Sequence, residues 1–228
     1  MDILLKPLNT VEILGYLGHS GQVLDANTLE TLRQMEDLLL KTANPKFVFL
    51  PFSLMQDTHG LRLLHTETVL SGKDIAMHFS QAKSCILFAA TLGATVDATL
   101  RKLQASDMAK AVIFDAIATA AIEQVCDIIC HMFEEDYKKD QQFLTSRFSP
   151  GYGDLPLALQ KEFCNLLDTP RKIGLSLTDS FLLTPQKSVT ALVGITSEAK
   201  NSKTLCAPCA IFDTCTLRKV GKTCGLPK

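Results

Sequence analysis

The segment SCILFAATLGATVDATLRKLQASDMAKAVIFDAIATAAIEQVCDIICHMF, residues 84–133, decides the fold of this chain. Its first seven residues form an apolar run of the length of a buried strand. Helical spacing then predicts a helix over about 95–104 and a second over about 108–138, the latter capped by Ser106-Asp107. The alanines and branched residues of 108–138 predict that this helix is buried over most of its circumference.

The residues before this segment predict one helix, a strand pair and a short helix. A capping-box pattern and apolar residues at helical spacing predict a helix over about 28–42, which Asn44-Pro45 ends. The apolar runs 46–52 and 61–68 favour two paired strands. Ser71-Gly72-Lys73-Asp74 opens a short helix that reaches about Phe79.

The residues after it begin with a Pro/Gly-rich loop, SRFSPGYGDLP, at 146–156. A helix over about 156–168 and two β-like runs, 180–184 and 188–195, follow. The regular β-helix-β alternation of a doubly wound sheet is missing, as are the Walker and Rossmann glycine patterns. We therefore expect an α+β fold, a mainly antiparallel twisted sheet with flanking helices.

Composition narrows the class of protein. The 228 residues include 23 Lys+Arg and 24 Asp+Glu, so the net charge of −1 supplies no field for nucleic acid or an anionic membrane. No apolar run approaches the roughly 20 residues of a membrane span, and the N-terminus lacks the pattern of a signal peptide. We expect a cytoplasmic protein, in which eight cysteines are better explained as core residues, metal ligands or reactive thiols than as disulfides.

The 146–156 loop carries groups suited to a ligand. Arg147 offers a bidentate fork to a carboxylate, and Tyr152 offers a ring face to an adenine or a sulfonium. Pro150 fixes the turn, and Gly151 permits close approach of the backbone. The alternative is a tight surface turn with Arg147 in a structural ion pair and Tyr152 capping the core.

Four blocks in one order favour the ligand interpretation. They are RFSPGY at 147–152, LLD at 166–168, IGLSLTDS at 173–180 and, after Pro185, SVTAL at 188–192. In this order they resemble the activation domain of cobalamin-dependent methionine synthase. Weaker likeness in EILGYLGHSGQ, LSGKDIAMHF, AATLGATVD and DMAKAVIFDAIATAAIE extends the resemblance over most of residues 11–195.

The resemblance implies a reactivation module that binds S-adenosylmethionine and supports reductive methylation of cob(II)alamin on a separate cobalamin-dependent methionine synthase. The cobalamin belongs to the partner, since this chain has no Asp-x-His-x-x-Gly sequence. A flavodoxin- or ferredoxin-type donor supplies the electron. The chain would be an accessory to a methyltransferase and needs no catalytic dyad of its own.

The resemblance also assigns roles to residues of the loop. Arg147 matches the arginine that holds the ligand carboxylate. Ser149 and Gly151 match backbone contacts to the nucleoside, and Tyr152 matches the loop tyrosine. The family's N-terminal Asp contact and its later Tyr find no counterpart in this sequence.

The family's acid on the long helix falls at Thr119 in one register and at Glu123 in another, and we favour Glu123 because it is an acid. Asp115, Thr119, Glu123 and Asp127 lie four residues apart, so they form a polar stripe on an apolar helix. The alternative for this stripe is a solvated helix face.

The C-terminal cysteines form a separate group. We expect residues 1–200 to form the S-adenosylmethionine-binding domain and 201–228 a cysteine-rich tail. In the tail Cys206 and Cys209 have metal-ligand spacing, and Cys215 and Cys224 could complete a zinc or iron-sulfur site. Free thiols or a redox-active pair are the alternatives. The four tail cysteines also support a second functional hypothesis, a metal or iron-sulfur redox protein that passes electrons to a corrinoid protein.

Overall fold

A computed structural model of the chain describes residues 3–19 and 23–198. Seven helices lie in this part of the chain: α1 (Thr10–Tyr16), α2 (Ala26–Thr42), α3 (Lys73–His78), α4 (Ala94–Ser106), α5 (Met108–Lys138), α6 (Leu159–Leu167) and α7 (Thr169–Ile173). The strands are β1 (Lys46–Asp57), β2 (Gly60–Leu63), β3 (Val69–Leu70), β4 (Ser84–Thr91), β5 (Phe143–Leu144), β6 (Ser176–Leu177), β7 (Leu183–Thr184) and β8 (Ser188–Thr196).

Six strands form one sheet in the order β3-β2-β1-β4-β8-β5, and β6 and β7 form a separate hairpin. Every pairing between these strands is antiparallel. β1, β4 and β8 form its centre, with Phe49, Phe88 and Ala191 side by side. The expected α+β class with a mainly antiparallel sheet is confirmed.

The sheet separates two hydrophobic cores. Alternate residues of β4 point in opposite directions, so Ile86 and Phe88 face one core and Cys85 and Leu87 face the other. The first core contains the buried residues of α1, α2, α4 and α5, and the second those of α3, α6 and α7. β4 is buried on both faces, which explains its uninterrupted apolar sequence.

The long helix α5 runs from Met108 to Lys138, as its sequence predicts. The Asp107 carboxylate caps it by accepting the N–H of Lys110 at 3.1 Å. Along the described ranges no helix has the length and apolarity needed to cross a membrane. α5 buries its apolar face against the sheet and its neighbouring helices.

Three strand predictions are wrong in extent, and the first, 46–52, continues as strand to Asp57. The run 61–68 forms a strand only to Leu63, because the chain turns at His65, whose φ of 65° is incompatible with a strand. The run 180–184 is strand only at Leu183–Thr184, since Phe181 has a φ of 62°. The helices α1 and α7 were not predicted, because neither has enough turns to establish an apolar period.

Candidate functional site

The loop that follows β5 is fixed to the central sheet before it reaches its turn. The N–H of Thr145 donates to the carbonyl of Gly194 at 2.9 Å, and Phe148 exchanges two backbone hydrogen bonds with Leu192, at 2.8 and 2.9 Å. Arg147 lies between these two anchoring points. Its backbone position is therefore set by β8 rather than by the loop itself.

The turn at 149–155 is closed by its own backbone. The N–H of Tyr152 donates to the Ser149 carbonyl at 3.1 Å, and that of Gly151 donates to the Leu155 carbonyl at 2.9 Å. Gly151 has a φ of 90°, a region that side-chain-bearing residues rarely adopt. This conformation accounts for glycine at this position of the predicted binding loop.

Tyr152 is 68% exposed, so the alternative in which it caps the core is wrong. Its ring lies 6.4 Å from that of Phe148, which in turn lies 5.2 Å from the His78 ring. The three rings form a short aromatic row that is open at Tyr152. An open ring face is what stacking on a planar or cationic ligand requires.

The loop also caps a helix distant in sequence. α3 has no capping side chain of its own, and Asp154 supplies one by accepting the N–H of Lys73 at 2.6 Å and of Asp74 at 3.1 Å. The fit is tight, because a Cβ on Gly72 would collide with the Asp154 carboxylate and one on Gly153 with that of Asp74. Loop and helix are thus held as one unit.

Arg147 and Glu123, two of the predicted site residues, are in direct contact. The Arg147 guanidinium lies 2.8 Å from the Glu123 carboxylate and 3.1 Å from that of Asp127. The Arg147 side chain is only 21% exposed, whereas that of Asp127 is 73% exposed. The ion pair considered as an alternative is therefore present, and it brings together two of the five predicted ligand-binding residues, Arg147 and Glu123.

The whole polar stripe of α5 faces cations. Towards its beginning, the Lys187 ammonium contacts the Asp115 carboxylate at 2.8 Å and donates to the Thr119 hydroxyl at 2.8 Å. One turn further on, Glu123 begins the contacts with Arg147. The stripe is thus ion-paired, although the Asp115 and Asp127 side chains remain 48% and 73% exposed. Of the two registers, the one with Glu123 places an acid on Arg147.

The N-terminal helix α1 adds two side chains that the sequence did not predict. The Tyr16 hydroxyl donates to Glu12 at 3.3 Å, and both side chains lie within electrostatic reach of Glu123 and Arg147. Burial, and then the neighbouring Glu12 charge, raises the pKa of Tyr16 to about 12. Burial likewise raises the pKa of Glu12. No local pattern marks these residues, which lie more than 100 positions before Arg147.

Two carboxylates, Glu123 and Asp127, therefore contact one guanidinium at this site, and Glu12 lies within electrostatic reach of it. Burial raises the pKa of Asp127, and the charge of Arg147 opposes this shift. With all acids ionised the cluster carries more negative than positive charge. Such a site can engage a carboxylate through Arg147 and, at the same time, attract a cation.

A hollow of about 410 Å³ lies beside this cluster, between α1, α4 and the first half of α5. Tyr16 belongs to its wall together with Met108, Val112 and Thr119. The wall is mainly apolar, with Asp115 as its acid. Tyr16 therefore connects the charged cluster with an adjoining space lined by α5.

The cysteines of the described chain are core residues, as the sequence predicts. Burial raises the pKa of the Cys85 and Cys126 thiols to about 12 and that of Cys130 to about 11. Within residues 3–19 and 23–198, no group of three His, Cys, Asp or Glu side chains is placed to hold a metal. The predicted metal ligands Cys206, Cys209, Cys215 and Cys224 lie outside the described residues.

Comparison with known proteins identifies the family. A family model for the activation domain of vitamin B12 dependent methionine synthase matches residues 54–204. A crystal structure of the MetH reactivation domain bound to AdoHcy has a TM-score of 0.65 and 16% sequence identity, and the match covers 85% of this chain and 75% of that one. At this identity the likeness shows the fold. Among curated proteins nothing matches. Since the family match spans well over half of the 228 residues, the chain belongs to the vitamin B12 dependent methionine synthase activation domain family.

Proposed function

We propose that this protein binds S-adenosylmethionine between the 147–152 loop and α5. It presents the ligand to a cobalamin carried by a separate methionine synthase polypeptide, in the cytoplasm, and so supports reductive methylation of cob(II)alamin. The observation that carries the proposal is the contact of Arg147 with Glu123, because it joins the loop and helix residues implicated by the family resemblance. The solved relative, a MetH reactivation domain bound to AdoHcy, supports the same ligand class.

The side chains present fit an amino-acid nucleoside. Arg147 would hold the ligand carboxylate, and Glu123 and Asp127 would face the ammonium or sulfonium group. Ser149 and Gly151 would offer backbone contacts in a loop whose conformation is already set. The exposed Tyr152 ring would stack on the ligand.

Binding requires Arg147 to exchange a partner. Asp127 is the partner that can leave, because its side chain is largely exposed and its ion pair with Arg147 is weakly held in water. The Glu123 carboxylate is more buried and lies closer, so it can keep the guanidinium oriented during the exchange. In the free protein these ion pairs thus keep the Arg147 guanidinium oriented for the ligand and prevent it from binding other anions.

S-adenosylmethionine supplies an activated methyl group when it is bound. The protein's own contribution is orientation, since neither Arg147 nor the surrounding acids need to transfer a proton to the ligand. The electron would come from a separate flavodoxin- or ferredoxin-type donor, as the family resemblance implies.

Calorimetric titration of the full chain with S-adenosylmethionine tests the proposal. We expect one binding site per chain. Loss of the Arg147 side chain should weaken binding without unfolding the protein. The matched control is Arg171→Ala, which removes an exposed arginine whose ion pair with Asp168 lies on α7 rather than at the site. Absence of any heat of binding in the unmodified protein, or equal affinity loss in the control, would contradict it.

A second candidate function rests on the tail. The family match ends at residue 204, just before Cys206, so the four cysteines form an addition to the matched region. We propose that Cys206, Cys209, Cys215 and Cys224 bind zinc or an iron-sulfur cluster, and that a cluster would deliver electrons to a corrinoid protein. The absorbance spectrum of anaerobically purified protein distinguishes the two: visible charge-transfer bands indicate a cluster, and their absence indicates zinc or free thiols.

A further inference from the structure

One face of β1 is left uncovered by the helices. The odd-numbered residues of this strand share the face of Phe88 that carries the first core, yet from Phe49 to Met55 they are exposed. Phe49 is 43% and Met55 is 46% exposed, and Pro51 and Ser53 between them are exposed as well. Within residues 3–19 and 23–198, no element covers these four alternate positions on the core-facing side.

The exposed residues of β1 from Phe49 to Met55 form a strip. This strip continues into a hollow at the end of α5. This hollow holds about 360 Å³ and is lined by Phe49, Met132, Phe133, Asp136, Tyr137 and Asp140. Its floor is aromatic, with the Phe49 and Phe133 rings 4.9 Å apart and edge to face. Two aspartates stand at its rim. We call the hollow and the strip from Pro51 to Met55 the β1 surface.

The last strand of the described chain, β8, lies two strands from β1. Ser53, Ser84 and Ile195 lie in one row across β1, β4 and β8. Three residues beyond Ile195, the carboxylate of Glu198 accepts a hydrogen bond from Gln81 at 3.4 Å. Because neighbouring strands lie about 4.8 Å apart, Ile195 lies roughly 10 Å across the sheet from Ser53 in the strip.

The segment that follows has the complementary composition. Residues 199–228 contain six Lys and Arg and one Asp, a net charge of +5, which leaves −6 for residues 1–198 of a chain whose total is −1. The same segment contains Leu205, Ile211, Phe212, Leu217 and Val220. Its 30 residues far exceed the roughly three or four extended residues needed to cross 10 Å.

We propose that residues 199–228 dock on the β1 surface. The apolar side chains of the segment cover Phe49 and the strip to Met55, and its lysines and arginines face Asp136 and Asp140. The surface is complementary in both hydrophobicity and charge, and the segment is attached next to it, so its effective concentration there is high.

A photo-crosslinking amino acid in place of Met55, in the full chain, tests this docking directly. We expect crosslinks within one chain to peptides from 199–228. The same amino acid in place of Leu182, an exposed apolar residue of the β6–β7 hairpin region, is the control and should not reach these peptides. Crosslinks between two chains would assign the surface to a second copy. They, or an absence of crosslinks to the segment, overturn the proposal.

Charge reversal tests the electrostatic part of the proposal. Asp136→Lys with Asp140→Lys should speed tryptic cleavage after Lys203, Arg218 and Lys222 about tenfold, as measured by mass spectrometry. Glu134→Lys with Glu135→Lys changes the charge of the same helix end equally, outside the hollow, and should change the rate far less. A chelator in every reaction removes protection by a bound metal. Equal rates for the two pairs would refute the proposal.

Discussion

The Arg147 guanidinium and the Glu123 carboxylate are 2.8 Å apart, although one belongs to a loop fixed to β8 and the other to the middle of α5. The contact joins the two segments that carry the ligand-binding residues proposed here. It also explains how an arginine that is largely buried stays charged in the free protein, since burying a charge without a partner is costly.

Removing the arginine should abolish most of the affinity. Arg147→Ala is expected to weaken S-adenosylmethionine binding by about 2–3 kcal/mol, or roughly 30- to 150-fold, the range of a charge-assisted hydrogen-bonded pair. Titration calorimetry measures the loss, and circular dichroism checks the fold. Because Asp127 is largely exposed and Glu123 partly so, the unpaired acids can reach water and the protein should remain folded. Unchanged affinity would remove Arg147 from the site.

Tyr152→Ala should cost less, about 1 kcal/mol of binding free energy, because stacking or a cation-π contact is weaker than a charged hydrogen bond. Its melting temperature should match that of the unmodified protein, since the ring is exposed. Phe148→Ala provides the contrast: its ring packs against the second core, so this change should lower the melting temperature. A destabilised Tyr152→Ala variant would favour a structural role for the tyrosine.

The excess of acids predicts discrimination by charge. S-adenosylmethionine carries a sulfonium that S-adenosylhomocysteine lacks, so Asp127→Asn should weaken the former roughly three- to tenfold and the latter little. Comparable losses for both ligands would show that Asp127 does not sense the sulfonium.

The same site predicts a pH dependence with a definite sign. Burial raises the pKa of both Asp127 and Glu12, so these groups lose their negative charge at a higher pH than ordinary carboxyls. S-adenosylmethionine affinity should therefore fall as the pH falls through these raised pKa values. Titration at several pH values checks this. Asp127→Asn should show a shallower dependence, with the remainder due to Glu12.

Asp154 should affect stability and binding together. Asp154→Ala removes the acceptor for two N–H groups of α3 and should cost about 0.5–2 kcal/mol in the free energy of unfolding, the usual range for an N-cap. Urea denaturation measures this, and calorimetry should show weaker ligand binding because the loop is released. Asp154→Asn retains one acceptor oxygen and should recover part of both properties. A variant with lost stability but unchanged affinity would separate the loop from the cap.

The tail is expected to be dispensable for the ligand. Cys206→Ser with Cys209→Ser should leave S-adenosylmethionine affinity unchanged, because the proposed site lies wholly before residue 200. If the four tail cysteines ligate a metal, alkylation should spare them until a chelator is added. Cys85 and Cys126 should stay unmodified at pH 8 in the folded protein under either condition, since burial raises the pKa of each thiol to about 12. Loss of ligand binding in the double variant would place the tail in the pocket.

The sequence predicts the helices and strands in which buried apolar residues recur at a regular spacing. The helices α2, α4 and α5 and the strands β1, β4 and β8 each present enough apolar residues in register to be recognised. Arg147 could be identified because it lies in a loop that contributes little to the core, where an arginine indicates ligand binding. Glu12 and Tyr16 could not be identified, because their place near Arg147 depends on how α1 packs against α5. The sequence of so short a helix does not predict that contact.

The capping of α3 by Asp154 bears on any attempt to move this loop into another protein. Residues 147–155 transplanted alone would include Asp154 without a helix to cap. They would also include Gly153 without the Asp74 side chain that lies against it. The smallest portable unit therefore includes residues 72–74, which lie about 80 positions away in the chain. A designer, or natural recombination, would have to exchange the two segments as a pair.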